Sequence, residues 1–162
     1  MKKQHAQVAE MYRRHAANMF RRACTLLGDE AEAHEVLQDI FVSLLERPDQ
    51  FAGDSSANTY LYSATTHACL NRIRNRRTRE RLNSSHSPPK AATPLDAEQQ
   101  LLLHSALREL PDQVAQVAIY YYVDALTQDE IAQIIGCSRR QVGKILGRLA
   151  RHRVRKEFSA CS

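Results

Sequence analysis

Tryptophan is absent from this chain, glycine is scarce at five in 162 residues, and no apolar run approaches the length of a membrane span. Each absence removes a class of function. Without a Walker-type glycine loop, HExxH or GxSxG, the sequence offers no nucleotide-loop, zinc-protease or serine-hydrolase signature. The four cysteines (Cys24, Cys69, Cys137 and Cys161) form no CxxC pair and the seven histidines do not cluster, so no metal or other cofactor is expected. Buried or incidental thiols in a reducing compartment are the plain reading. Arg139 and Arg140 would nevertheless give Cys137 part of the electropositive setting that a reactive thiol needs. The polar start MKKQHAQ is no secretory signal, which sets the expectation of a cytoplasmic protein with no membrane insertion. Strand-like alternation of useful length is missing too. A hydrophobic fraction of 43% with so little glycine points to an all-α, globular chain.

Charge is the feature that is present. The net charge is +5, and both halves share it: residues 1–82 hold 13 Lys/Arg against 10 Asp/Glu, and residues 101–162 hold 9 against 6. The stretch between them is nearly neutral. Asn83 to Asp96 (NSSHSPPKAATPLD) is rich in Ser and Pro and poor in core-forming residues, so it reads as a flexible linker. Two small helical domains follow, residues 1–82 and 97–162, joined by residues 83–96.

The most specific stretch runs from Gln128 to Gly147 (QDEIAQIIGCSRRQVGKILG), which reads as a helix-turn-helix. Ala132 supplies a small residue where two helices cross, and Gly136 a turn able to go left-handed. Val142 and Ile145 stand three apart on one face and would seat the second helix. Thr127 with Glu130, and Ser138 with Gln141, fit capping boxes that start the two helices. The second helix carries Arg139, Arg140, Lys144, Arg148, Arg151, Arg153, Arg155 and Lys156 before its first acid, Glu157. Clustered charge on a helix suited to a major groove is the footprint of DNA binding; a solvated basic face is the bland alternative.

Upstream, Val8, Met11, Tyr12, Met19, Phe20, Ala23, Leu26 and Leu27 define an amphipathic helix from Gln4 to Leu27, stopped by Gly28. Asp29 can cap the next helix, which buries Ala33, Val36, Leu37, Ile40, Phe41, Leu44 and Leu45 before Pro48 ends it. The polar loop FAGDSSAN (Phe51 to Asn58) leads to a third helix with Thr59 as its cap. That helix runs into Arg72, Arg74, Arg76, Arg77, Arg79 and Arg81, six arginines within ten residues, a strip suited to phosphates. Beyond the linker, Leu101, Leu102, Leu103, Ala106, Leu107 and Leu110 restore helical periodicity, and Pro111 opens another helix. The run Tyr120-Tyr121-Tyr122 looks like a stacking platform, but adjacent helical residues point apart, so at least one is expected in the core.

The order of these elements resembles the extracytoplasmic-function group of bacterial sigma factors, which keep regions 2 and 4 of the larger sigma-70 family on a flexible linker. The resemblance rests on AHEVLQDIF (Ala33–Phe41), FAGDSSANTYLY (Phe51–Tyr62) and LPDQ…LTQDEIAQIIGCS (Leu110–Ser138), and spans about Ala6 to Lys156. It implies a transcription-initiation subunit that binds core RNA polymerase and recognises promoter DNA at the −10 and −35 elements. Glu35, Gln38 and Asp39 fall where the family's region 2 meets the β′ clamp helices. Phe51, Gly53, Asp54, Ser55, Ser56 and Tyr60 fall in the loop that captures a base flipped from the −10 strand. His67, Asn71, Arg72, Arg74, Arg76 and Arg77 follow on the helix that touches −10 DNA. Ser138, Arg139, Arg140, Gln141, Lys144, Arg148 and Arg151 fall in the −35 reading helix, near a surface for the β flap. An anti-sigma factor is a further partner the resemblance implies.

The departures are as specific. The family's usual Thr-Trp pair is Thr59-Tyr60 here, His67 replaces a common asparagine, and Ala52 stands where a basic residue is frequent. In the reading helix Gly143 and Ile145 take positions that contact bases in relatives, while Arg139 and Arg140 add charge at its start. Two other readings remain at this level: a dimeric helix-turn-helix regulator, which would bind palindromes, and an enzyme, for which no motif is present.

Overall fold

The computed structural model describes residues 2–51, 56–82 and 95–160, with side chains for 4–47, 49–51, 56–76 and 95–152. The linker reading for 83–94, like Ala52, Gly53, Asp54, Ser55 and Cys161, lies outside the described residues. Within them the chain is helical, with no strand: α1 (Lys2–Leu27), α2 (Glu30–Glu46), a 3-10 turn (Pro48–Phe51), α3 (Ala57–Leu82), α4 (Ala97–Glu109), α5 (Asp112–Ala118), a π turn (Ile119–Val123), α6 (Gln128–Ile135) and α7 (Arg139–Ala160). These form two compact units, residues 1–109 and 110–162.

Local chemistry sets the helix boundaries of the first unit. Gly28 at φ +71° ends α1, and Asp29 caps α2 by accepting from the Glu32 N–H at 2.9 Å. α3 starts three residues earlier than a Thr59 cap implies. Ser56 is its cap, accepting from the Thr59 N–H at 3.2 Å, and Thr59 spends its hydroxyl on Ser56. The α1, α2 and α3 core is built from Met19, Ala23, Leu26, Leu27, Val36, Leu44, Leu61, Leu70 and Ile73, all buried. Tyr12 and Leu45, read as inward-facing, are exposed instead. Thr65 and Thr66 are buried, and they satisfy their hydroxyls by donating to the carbonyls of Leu61 and Tyr62.

α4 departs furthest from its pattern. Its leucine periodicity points to an apolar inner face, yet Leu101 and Leu102 are 70% and 65% exposed while Gln100 and His104 are buried. The reason is the end of α1, whose last carbonyls lack intrahelical partners. Gln100 donates to the carbonyls of Thr25 at 3.2 Å and Leu26 at 2.8 Å, and His104 Nε2 donates to Leu26 at 2.7 Å. Arg108 adds a bond to the Ile73 carbonyl at 3.0 Å. A helix grouped by sequence with the C-terminal half thus packs, through polar hooks, in the first unit. Its start is a capping box formed by Asp96 and Gln99.

In the second unit Pro111 precedes α5 as its cap rather than sitting inside it. Val117, Ile119, Tyr120, Ile131 and Val142 are fully buried. Tyr120 is therefore the core member of the tyrosine run, and Tyr121 and Tyr122 are exposed. The π turn that carries them leaves no local signature in the sequence.

Candidate nucleic-acid interface

The helix-turn-helix is built as its residues dictate. Thr127 accepts from the Glu130 N–H at 3.3 Å while the Glu130 carboxylate accepts from the Thr127 N–H at 2.7 Å, so both halves of the capping box are closed. The Thr127 hydroxyl, which donates to Glu130 Oε2 at 2.7 Å, and after it the Thr127 N–H hold the Glu130 carboxyl below its ordinary range. Gly136 turns left-handed at φ +75°, and the N–H groups of Gly136 and Cys137 both donate to the Ala132 carbonyl. Ser138 and Gln141 close the second box at 3.2 and 3.1 Å. Ala132 is buried at the crossing, with Val142, Ile145 and Leu146 on the inner side of α7. Ile145 therefore seats the helix and does not face a ligand.

The outer side of α7 is a cationic groove. Arg139, Arg140, Lys144, Arg148 and Arg151 line it together with Gln128, Gly143 and Gly147. Steps of three and four residues place Arg140, Lys144, Arg148 and Arg151 along one face. All are exposed, as are Ser138 and Gln141, whose Oγ and Oε1 each accept from the other's backbone N–H. Arg139 Nε lies 3.8 Å from Asp129 Oδ2, with both side chains about two-thirds exposed (68% and 67%). An ion pair so exposed is worth little and leaves the guanidinium open to a stronger acceptor. A helix entering a major groove presents this kind of face.

The first unit holds the remaining residues. Glu35, Gln38 and Asp39 lie on the exposed side of α2. Arg72, read from the sequence as part of an open phosphate strip, turns toward them: Nη1 donates to Glu35 Oε2 and Nη2 to Asp39 Oδ2 at 2.9 Å. Arg76 likewise pairs with Glu32 at 3.3 Å and contacts His104 Nδ1 at 3.3 Å. Two arginines of the strip are thus engaged by α2 and α4. Asn71 and His67 are exposed and Arg74 is half-buried on α3. Partial burial lowers the His67 pKa. The side chain of Arg77 lies outside the described residues.

Phe51 and Tyr60 bracket the polar loop and meet edge to face, their centroids 5.5 Å apart. The Tyr60 hydroxyl donates to Gln50 Oε1 at 3.4 Å, and Gln50 Nε2 donates to Ser43 Oγ at 3.0 Å, tying the loop's stem to the end of α2. Sequence reasoning passed over Gln50; nothing in its local spacing marks it. Ser56 belongs to the helix cap described above. No group of His, Cys, Asp and Glu suited to a metal ion exists among the described residues.

A basic reading face on the second helix of a helix-turn-helix defines a DNA-binding protein. The family model of Sigma-70 region 2 matches residues 11–79, and that of Sigma-70, region 4 matches residues 100–152. The chain is 31% identical over 134 residues to RNA polymerase sigma factor YlaC of Bacillus subtilis (strain 168), covering 78% of this chain and 75% of that one. It is 26% identical over 143 residues to ECF RNA polymerase sigma factor SigW of the same strain, covering 79% and 75%. A solved structure of the sigma factor RpoE with the anti-sigma factor NepR from Bartonella quintana covers 98% of both chains at 17% identity, with a TM-score of 0.49. The chain belongs to the sigma-70 family of RNA polymerase sigma factors, in its extracytoplasmic-function group. It is a non-catalytic specificity subunit that directs core RNA polymerase to promoters. The region 4 match includes α4, the helix that packs in the first unit.

Proposed function

We propose that the two units divide promoter recognition between them. The α7 groove reads the −35 duplex: Arg139, Arg140, Gln141 and Lys144 approach base edges, while Arg148 and Arg151 meet phosphates. The observation that carries this reading is the two-sidedness of α7, with Val142 and Ile145 buried on one face and the cationic row exposed on the other. In the first unit, Glu35, Gln38 and Asp39 dock on the β′ clamp helices, for which an exposed face of acids and an amide is suited. The loop framed by Phe51 and Tyr60, with Gly53, Asp54, Ser55 and Ser56, captures a flipped −10 base. Extrusion costs about a few kcal/mol, and stacking on Tyr60, in place of the family's tryptophan, offsets part of it. Asn71, His67, Arg74 and Arg77 then line the path of the −10 strand. The region 4 surface meets the β flap, and an anti-sigma factor would compete by covering these docking faces. The site of action is the cytoplasm, where the polymerase is.

Two titrations test the assignment. Replacing Glu35 and Asp39 together by Ala is expected to weaken binding of core polymerase by about tenfold or more. Tyr60→Ala is expected to weaken capture of a 2-aminopurine placed in a −10 oligonucleotide by roughly the 1–3 kcal/mol of one stacked base. Undiminished binding in both titrations would remove the proposed division of labour.

A further inference from the structure

We propose that Arg72 is a positioning residue for partner docking, which it serves by clamping Glu35 and Asp39 in place from the neighbouring helix. The inference rests on the reading of those two carboxylates as the polymerase-docking pair. Arg72 departs from α3 and is only 15% exposed, so its stem is fixed by packing. Its two terminal nitrogens reach across to α2, one to Glu35 Oε2 and the other to Asp39 Oδ2. The carboxylates themselves remain 56% and 70% exposed. One oxygen of each is held by the guanidinium, and the exposed remainder is left open to a partner.

The physics favours a clamp over a mask. Glu35 and Asp39 are one helical turn apart, so without a cation between them they repel and each samples several rotamers. Holding a rotamer-rich side chain at an interface costs free energy on binding, and a side chain already held does not incur that cost again. Arg72 suits this task because its planar fork satisfies two acceptors in fixed geometry, which a lysine cannot. Desolvation works against its charge, yet the two carboxylates more than compensate and hold its pKa above the ordinary arginine value. A phosphate contact would have to compete with the two carboxylates for a guanidinium whose side chain is only 15% exposed.

The test is a binding titration of the full chain with core polymerase, with thermal melts on every variant to confirm folding. Arg72→Ala is expected to weaken association about three- to tenfold, with Arg72→Lys in between, because it keeps the charge and loses the fork. In the Glu35→Gln, Asp39→Asn background, Arg72→Ala is expected to cause little further loss, since the fork then meets only neutral amide oxygens in place of the two carboxylates. Unchanged or tighter binding by Arg72→Ala, while the carboxylate variants bind weakly, would overturn the clamp and leave the docking reading standing. An equal loss in both backgrounds would also overturn it, by showing that Arg72 acts through the fold. Full affinity in the Glu35→Gln, Asp39→Asn variant would remove the docking reading itself, and the clamp with it.

Discussion

Replacing Arg139 and Arg148 one at a time separates the two kinds of contact assigned to α7. Both side chains line the exposed groove, but they stand at opposite ends of the reading face. Arg139 is at the start of the helix, where base-edge contacts arise in helix-turn-helix proteins. Its pairing with Asp129 at 3.8 Å is exposed, so little is lost when DNA replaces the carboxylate. Arg139→Ala is therefore expected to cost about 1–3 kcal/mol on the preferred duplex, roughly five- to 150-fold, and much less on a scrambled one. Arg148, more than two turns further along, is assigned to the phosphate backbone. Arg148→Ala is expected to weaken all duplexes alike and to reduce the slope of log K against log salt by about 0.9. Between about 0.05 and 0.2 M salt, the ratio of parent to variant affinity then shrinks by about 3.5-fold. Fluorescence anisotropy with a duplex selected by the chain itself, and with its scrambled form, measures both quantities. A uniform loss for Arg139→Ala, or an unchanged salt slope for Arg148→Ala, would refute the partition.

Three further outcomes follow from the geometry. Thr127→Ala opens the α6 capping box and is expected to cost about 1 kcal/mol at neutral pH in a denaturant melt. Glu130, whose folded pKa lies below its ordinary 4.5, contributes stability that is complete above the unfolded value and lost as pH falls through the folded one. The penalty should therefore shrink in acid, and a pH-independent penalty would show that the carboxylate takes no part. Gly28→Ala forces a left-handed alanine and brings its Cβ to 3.0 Å from Gln100 Cγ, so a loss of about 1–2 kcal/mol or more is expected. Adding Gln100→Ala should recover only the steric part, and a melting point unmoved by Gly28→Ala would contradict the account. Among the described cysteines, burial pushes the Cys69 thiol up to about 12 and raises Cys24, while Cys137 is half-buried. In a Cys161→Ser background, maleimide at neutral pH should label Cys137 first and reach Cys69 only on unfolding; fast labelling of Cys69 would contradict its burial.

The helix-turn-helix was legible because its determinants are local. Thr127 and Glu130, Gly136, and Ser138 and Gln141 act over three residues, and each does in the structure what its spacing implies. Asp29 is legible for the same reason. The misreadings come from partners distant in sequence. The arginine run resembled an open strip because the acids that engage Arg72 and Arg76 lie more than thirty residues upstream, on α2. On α4, apolar periodicity was outweighed by the unsatisfied carbonyls of Thr25 and Leu26, which draw Gln100 and His104 inward and leave Leu101 and Leu102 outside. Thr59 gave way to Ser56 as a cap, a shift of three residues between two equally suited hydroxyls. Nothing in IYYYV marks a π turn, so the directions of Tyr121 and Tyr122 could be seen only in three dimensions.

In the proposed function, this chain gives core polymerase its promoters through the α7 groove and the docking face of α2. The most direct test is abortive transcription by core RNA polymerase on a pool of random promoter fragments, with and without the chain. Initiation that depends on the chain, enriches a shared pair of upstream elements, and is lost on Glu35→Ala with Asp39→Ala is the expected result. Tight DNA binding with no new transcripts and no association with core polymerase would contradict it.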